Sequence, residues 1–194
     1  VLPRVDLSQQ VAEAIARHPD AATIVYCIAR KDTEGLVEAL RGHGIAAAAY
    51  HAGLSASTRT QVSADFRAER LHVVVATVAF GMGIDRGDVR LVVHAAMPKS
   101  VEHYQQETGR AGRDGLPAEC LLLYSGADAA KWRTVMERGA EETGAEVRRF
   151  EGEHLALCRQ CRLDLAQRRA GHCGDHQLAR LVAGDPLQAG REQR

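Results

Sequence analysis

Nowhere in these 194 residues is there a G-x-x-x-x-G-K-[ST] loop, the backbone cradle that usually holds a nucleotide's phosphates. Aromatic residues make up only 4 %, and lysine is nearly absent, with three against 22 arginines. The 25 basic and 25 acidic side chains cancel, so any nucleic-acid face must be local rather than a product of bulk charge. No apolar run approaches membrane-spanning length and no signal-peptide pattern opens the chain; a membrane partner and secretion are therefore not expected, and a cytoplasmic or nuclear location is. The start "VLPRVDL" lacks Met, which leads us to expect an excised or partial chain. The five cysteines fit a cytosolic protein with a metal site better than a disulfide framework. Cys27 and Cys120 sit singly in apolar, strand-like runs and read as core, whereas Cys158, Cys161 and Cys173 cluster late in the chain.

The first 125 residues alternate between two periodicities. "AATIVYCI" (21–28), "LHVVVAT" (71–77), "RLVVHAA" (90–96) and "AECLLLYS" (118–125) are short apolar runs rich in β-branched residues, which predicts buried strands. "IAAAAY" is a weaker strand of the same kind. Between them, "DTEGLVEALRGHG" predicts a helix with Asp32 as N-cap and Leu36, Val37 and Leu40 on one face. "SASTRTQVSADFRAE" predicts a second helix, Ser100 caps a third in "VEHYQQE", and "ADAAKWRTVMER" predicts a fourth, on which Trp132 packs against the sheet. Alternation with short connections implies an α/β fold, a parallel sheet with helices on both faces. Ligands of such sheets bind at the carboxyl ends of the strands.

Two stretches carry unusual chemistry. In "VVVATVAFGMGIDRGDVRLVVH", Gly81 and Gly83 permit close backbone approach, Thr77 offers a hydroxyl and a backbone N–H to a phosphate oxygen, and Asp85 can accept from a ribose. In "ETGRAGRDG", Arg110 and Arg113 stand three apart, each preceded by glycine. Taken alone, these arginines fit surface ion pairs with Asp114, Glu107 or Glu102 as well as they fit an anion site.

Their order decides between those readings. "AYHAGLSASTR", "VVVATVAFGMGIDRGDVRLVVH" and "HYQQETGRAGRDGLPAE", in this sequence and spacing, resemble the second RecA-like motor lobe of RecQ-family DNA helicases over roughly residues 20–125. The resemblance implies that the phosphate-cradling loop, its lysine and the Mg²⁺-binding acidic pair belong to a first lobe, and that ATP with Mg²⁺ is held mainly there. It implies that Arg113 and Arg110 face the γ-phosphate, Arg113 as arginine finger, while Gln106 couples nucleotide state to lobe closure. Asp85, with Gly83, would lie near the ribose. Thr77, His51 and Arg30 would face the backbone of single-stranded DNA, or of DNA at a duplex junction. The partners implied are thus DNA and a first RecA-like lobe. Two departures stand out: "CIAR" (27–30) replaces the family's usual "CNSR", and Arg86-Gly87 replaces its Lys-Pro, which is expected to loosen that loop.

Beyond residue 139 the composition becomes charged and poor in core residues. Cys158-x₂-Cys161 and Cys173-x₂-His176, eleven residues apart, suit structural zinc in a small helical module over 140–180, with His172 or His154 as substitutes and a frayed tail at 181–194. RecQ helicases carry a zinc module in this region, though the family's first cysteine stands alone and its last has no match here. The other histidines, His18, His43, His72, His94 and His103, show no partner pattern and read as surface or packing residues. The sequence thus supports the ATP-sensing, DNA-tracking lobe of a 3′-to-5′ helicase, inactive as an ATPase by itself. The alternative is a truncated module that binds DNA or a partner without turnover. A third, weaker reading is an RNA helicase lobe, against which the "AFGMGID" block and the cysteine cluster argue.

Overall fold

The computed structural model describes residues 1–78, 80 and 86–138. They form β1 (Leu2–Pro3), α1 (Leu7–Ala16), β2 (Ala22–Tyr26), α2 (Arg30–Gly42), β3 (Ala47–Tyr50), α3 (Ala56–Arg67), β4 (Val73–Ala76), β5 (Val89–His94), α4 (Val101–Thr108), β6 (Glu119–Tyr124) and α5 (Asp128–Arg138). The six strands make one sheet in the order β1-β6-β5-β2-β4-β3, every pairing parallel. The parallel α/β architecture is therefore as the alternation predicts.

Strand side chains divide by a period of two. Val25, Val73, Val75, Leu91, Val93, Leu121 and Leu123 face α1 and α2, meeting Val11, Ala14, Leu36, Val37 and Leu40. Ile24, Tyr26, Val74, Ala76, Val92 and Cys120 face the other way, toward Phe66 of α3, Phe80 and Ala111. Both faces are covered, which is why the strands read as near-continuous apolar runs.

Several boundaries differ from the sequence reading. The helix expected from Asp32 begins at Arg30, with Ala29 as N-cap. Asp32 lies inside the first turn, and its carboxylate accepts from the Ala29 N–H at 3.2 Å. Strand β1 and helix α1 were not anticipated, although Asp6 accepts from the Gln9 N–H as an ordinary N-cap before Leu7 and Val11. Ser100 does cap α4, accepting from the His103 N–H.

One buried carboxylate fastens α5 and β1 to the sheet. Asp128, 1 % exposed, accepts from Arg4 Nη2 at 2.5 Å and from the N–H groups of Met97 and Ser125 at 3.0 and 2.9 Å. The indole N–H of Trp132 donates to the Met97 carbonyl at 2.7 Å, so this tryptophan packs the helix, as expected. Cys27 and Cys120 are buried free thiols, pushed up to about 12 and about 11 by burial. No helix among the described residues is long and apolar enough to cross a membrane.

Candidate functional site

The residues singled out from sequence fall into two groups. The first lies at the carboxyl edge of the sheet. Tyr50 ends β3, Ala76 ends β4 and Tyr26 ends β2, so His51, Thr77 and the start of α2 at Arg30 emerge side by side. The backbone N–H of Thr77 donates to the Tyr50 carbonyl at 3.1 Å. That corrects one expectation: this N–H belongs to the sheet edge, and the hydroxyl is what Thr77 can offer an anion. His51 is 2 % exposed, and neither ring nitrogen has a hydrogen-bond partner, although Nε2 stands 3.2 Å from Glu34 Oε1.

Gly53 makes this crowding feasible. A Cβ there would meet Arg30 Cδ, Arg30 Nη1 and His51 Nδ1, each at 3.1 Å. The guanidinium of Arg30 and the ring of His51 therefore converge on a position that tolerates no side chain without displacement. Arg30 and His51 are thus neighbours, and Thr77 leaves the adjacent strand end next to Tyr50 and His51.

The second group is the arginine loop. Helix α4 turns the chain back across the face that carries α3, so the loop does not sit at the carboxyl edge. Gly112 N–H donates to the carbonyl of Val89, the first residue of β5, at 2.9 Å, and Asp114 N–H reaches the Gly87 carbonyl at 3.3 Å. Gly112 has φ +61°, and a Cβ there would lie 2.6 Å from the Leu116 carbonyl oxygen. Only glycine fits this turn, which sets Arg110 and Arg113 on the rim. Arg113 Nε donates to the Gly109 carbonyl at 3.2 Å, and Gln106 is exposed on the last turn of α4.

Two of the three acidic residues that the ion-pair reading names, Asp114 and Glu107, are engaged elsewhere. Asp114 is clasped by Arg90, which holds its carboxyl below the usual carboxylate range. Glu107 is 7 % exposed and pairs with His94 Nε2 at 2.8 Å, a partner that sequence spacing did not reveal. His94 also stacks on Tyr26, with ring centroids 5.6 Å apart and planes at 25°. The Tyr26 hydroxyl donates to the Phe80 carbonyl at 3.2 Å. Burial drives its pKa upward, partly opposed by the positive charge of Arg110. Tyr26, His94 and Glu107 were all missed; each looks from sequence like part of an apolar strand or a solvated helix face. His18 likewise has a carboxylate partner, Glu119, at 2.7 Å.

Arg86 also differs from its expectation. Its guanidinium is 5 % exposed, forks onto Asp88 at 2.7 and 2.9 Å, donates to the Phe66 carbonyl at 2.6 Å and lies 4.8 Å over the Phe66 ring. With Gly87 bonded to Asp114, the exit of this loop is pinned rather than loosened. Asp85 and Gly83 lie outside the described residues, as do Cys158, Cys161, Cys173, His176 and the alternative ligands His172 and His154. Among the described residues, no group of three or more His, Cys, Asp or Glu is placed to hold a metal.

Residues 6–115 match the family described as Helicase conserved C-terminal domain. The RecQ-like DNA helicase blm-1 of Caenorhabditis elegans is 42 % identical over 151 residues, covering 74 % of this chain and 15 % of that protein. The ATP-dependent DNA helicase RecQ of Haemophilus influenzae is 41 % identical over 147 residues, covering 76 % of this chain and 24 % of that protein. The chain thus spans a quarter or less of the length of these relatives. Among solved structures, the Mycobacterium smegmatis helicase Lhr bound to ssDNA and AMP-PNP aligns with a TM-score of 0.54 at 30 % identity, over 71 % of this chain and 19 % of that one. The parallel six-stranded sheet with its helices is that of a RecA-like helicase fold, and the chain belongs to the helicase conserved C-terminal domain family, as a C-terminal lobe of the RecQ kind.

Proposed function

We propose that this chain is the second motor lobe of an ATP-dependent 3′-to-5′ DNA helicase, supplying an arginine finger and a single-stranded DNA track. The observation that carries the reading is the arginine loop. A backbone with a left-handed glycine presents two arginines while Asp114 and Glu107 are bound to Arg90 and His94. Preorganised cations of this kind stabilise charge that develops in phosphoryl transfer, and a finger is worth ~10³–10⁵ in rate. Arg113, exposed at the rim, is the finger; Arg110 stands behind it, and Gln106 senses closure.

The edge group serves the DNA. Arg30 and His51 converge around Gly53, and Thr77, whose N–H is held by the Tyr50 carbonyl, leaves its hydroxyl for a phosphodiester oxygen beside them. Phosphate contacts of this type position a strand without reading its sequence. Mg²⁺-ATP is held mainly by a first lobe, so residues 1–194 alone do not turn over ATP. Asp85, with Gly83, completes the nucleotide side, and Cys158, Cys161, Cys173 and His176 form a structural zinc site that metal analysis of the purified chain would test.

The test of the function is reconstitution. This chain, mixed with a separately produced RecQ first lobe and single-stranded DNA, should restore ATP hydrolysis that neither part shows alone. A mixture that binds DNA but stays without turnover would instead favour the non-catalytic binding module.

A further inference from the structure

The edge group holds one acidic side chain that the proposed function does not use. Glu34 lies one turn along α2 from Arg30, and its Oε1 stands 3.2 Å from Nε2 of His51. His51 is 2 % exposed, and both of its ring nitrogens are buried without a hydrogen-bond partner. The carboxylate therefore faces Nε2 without being aligned to bond it. On the other side of the ring, Nδ1 flanks Gly53 together with Nη1 of Arg30.

The other acidic residue at the start of α2 is held quite differently. Asp32 accepts from the Ala29 N–H at 3.2 Å and pairs with Lys131 of α5 at 2.5 Å, so its carboxylate is fixed from two elements. The Glu34 side chain is 61 % exposed, and among the described residues its one ionic partner is His51. It can swing off the histidine without breaking an aligned hydrogen bond.

Buried polar groups are as a rule hydrogen-bonded, so an imidazole unpaired at both nitrogens beside an arginine asks for an oxygen it does not have. A phosphodiester oxygen meets that need, but Glu34 stands where it would approach. Each of the two groups carries one negative charge, and like charges placed side by side repel. A carboxylate tethered on α2 is present at high effective concentration, so it competes with every phosphate that arrives.

We propose that Glu34 is a competitor in cis for the phosphates of the DNA strand, its carboxylate covering Nε2 of His51 until a phosphodiester displaces it. The proposal rests on the reading of Arg30 and His51 as phosphate contacts. It assigns to Glu34 the setting of affinity: a motor that advances along a strand has to release each phosphate, and an anion waiting beside the site speeds that release at the expense of tight binding. Glu34→Gln keeps the shape of the side chain and removes its charge.

The experiment uses the full chain and a fluorescein-labelled single-stranded oligothymidylate, with Kd read by anisotropy and dissociation by stopped flow. Glu34→Gln should lower Kd by roughly two- to fivefold, the scale of one exposed ion pair, and most of the change should be slower dissociation. Glu38→Gln, which removes the same charge one turn farther along α2, should leave Kd unchanged. In a His51→Asn background the gain from Glu34→Gln should vanish, because the group it uncovers is gone. Should His51→Asn not fold, the comparison of Glu34→Gln with Glu38→Gln decides alone. Equal tightening in those two variants, a Kd unchanged or raised in Glu34→Gln, or a gain that persists in folded His51→Asn would each overturn the competition and leave the DNA reading intact. No DNA binding by either the unsubstituted chain or Glu34→Gln would defeat that reading and the competition with it.

Discussion

The carboxyl edge and the arginine loop solve opposite problems with the same residue type. At the edge, Arg30 and His51 are gathered by side-chain packing around Gly53, and what confines them is the flexible end of one another. In the loop, Arg110 and Arg113 are placed by backbone: Gly112 at φ +61°, its N–H on Val89, and Asp114 on Gly87 and Arg90. A strand that slides past needs contacts that adapt to each phosphate in turn. A transition state needs charges already in place, because reorganising them during the reaction costs barrier height. The glycine in each site therefore has a different job, and substitutions should separate the two.

The largest separation is expected from the arginines themselves. Arg113→Ala should reduce ATP turnover of the reconstituted two-lobe mixture by at least ~10³ while leaving the Kd for single-stranded DNA unchanged, measured by hydrolysis assay and fluorescence anisotropy. The glycines come next. Gly112→Ala places a Cβ against a backbone carbonyl at a left-handed φ, and should cost about 1–3 kcal/mol in denaturant titration as well as turnover. Gly53→Ala meets side-chain atoms of Arg30 and His51 at 3.1 Å and no backbone, so it should cost less stability than Gly112→Ala while DNA affinity falls. If Gly53→Ala were the more destabilising of the two, the contrast between backbone-set and side-chain-set sites would be wrong.

A smaller effect is expected at Arg30. Arg30→Ala should lower the slope of log Kd against log salt for single-stranded DNA by about 0.7, the share of one phosphate contact. Smallest is the pH response of the pinned loop exit. The Arg86 guanidinium beside Asp88 holds its carboxyl below the usual range, so this pair stabilises the fold above the unfolded-state pKa of ~3.9 and loses that contribution as pH falls through the folded-state value. Melting curves of Asp88→Asn and the unsubstituted chain should differ at neutral pH and converge in acid.

Much of this was legible in the sequence for a simple reason: a parallel sheet covered on both faces writes itself as apolar runs, and the ends of β2, β4, β5 and β6 fall within one or two residues of where those runs predict. Thr77 and His51 follow directly on strand ends and Arg30 opens α2, yet it was the family resemblance that grouped the three. The illegible part consists of contacts between residues far apart in the chain. Nothing local in "RLVVHAA" says that His94 meets Glu107, and nothing in "TIVY" says that the Tyr26 hydroxyl reaches Phe80, 54 positions on. Arg86 misleads for a related reason. Read beside Gly87 it looks like a loosened turn, whereas its guanidinium is fixed by Phe66 and Leu71 carbonyls that arrive from the end of α3. Strand β1 escaped notice because two residues carry no periodicity.

The most direct test of a lobe with two separable sites is DNA-dependent ATP hydrolysis by this chain plus a RecQ first lobe, comparing Arg113→Ala with Arg30→Ala at saturating single-stranded DNA. The account predicts that Arg30→Ala regains the unsubstituted turnover once DNA saturates, and that Arg113→Ala does not at any DNA concentration. Full recovery of Arg113→Ala at high DNA would contradict it, since the arginine loop would then be acting in DNA binding and not in hydrolysis.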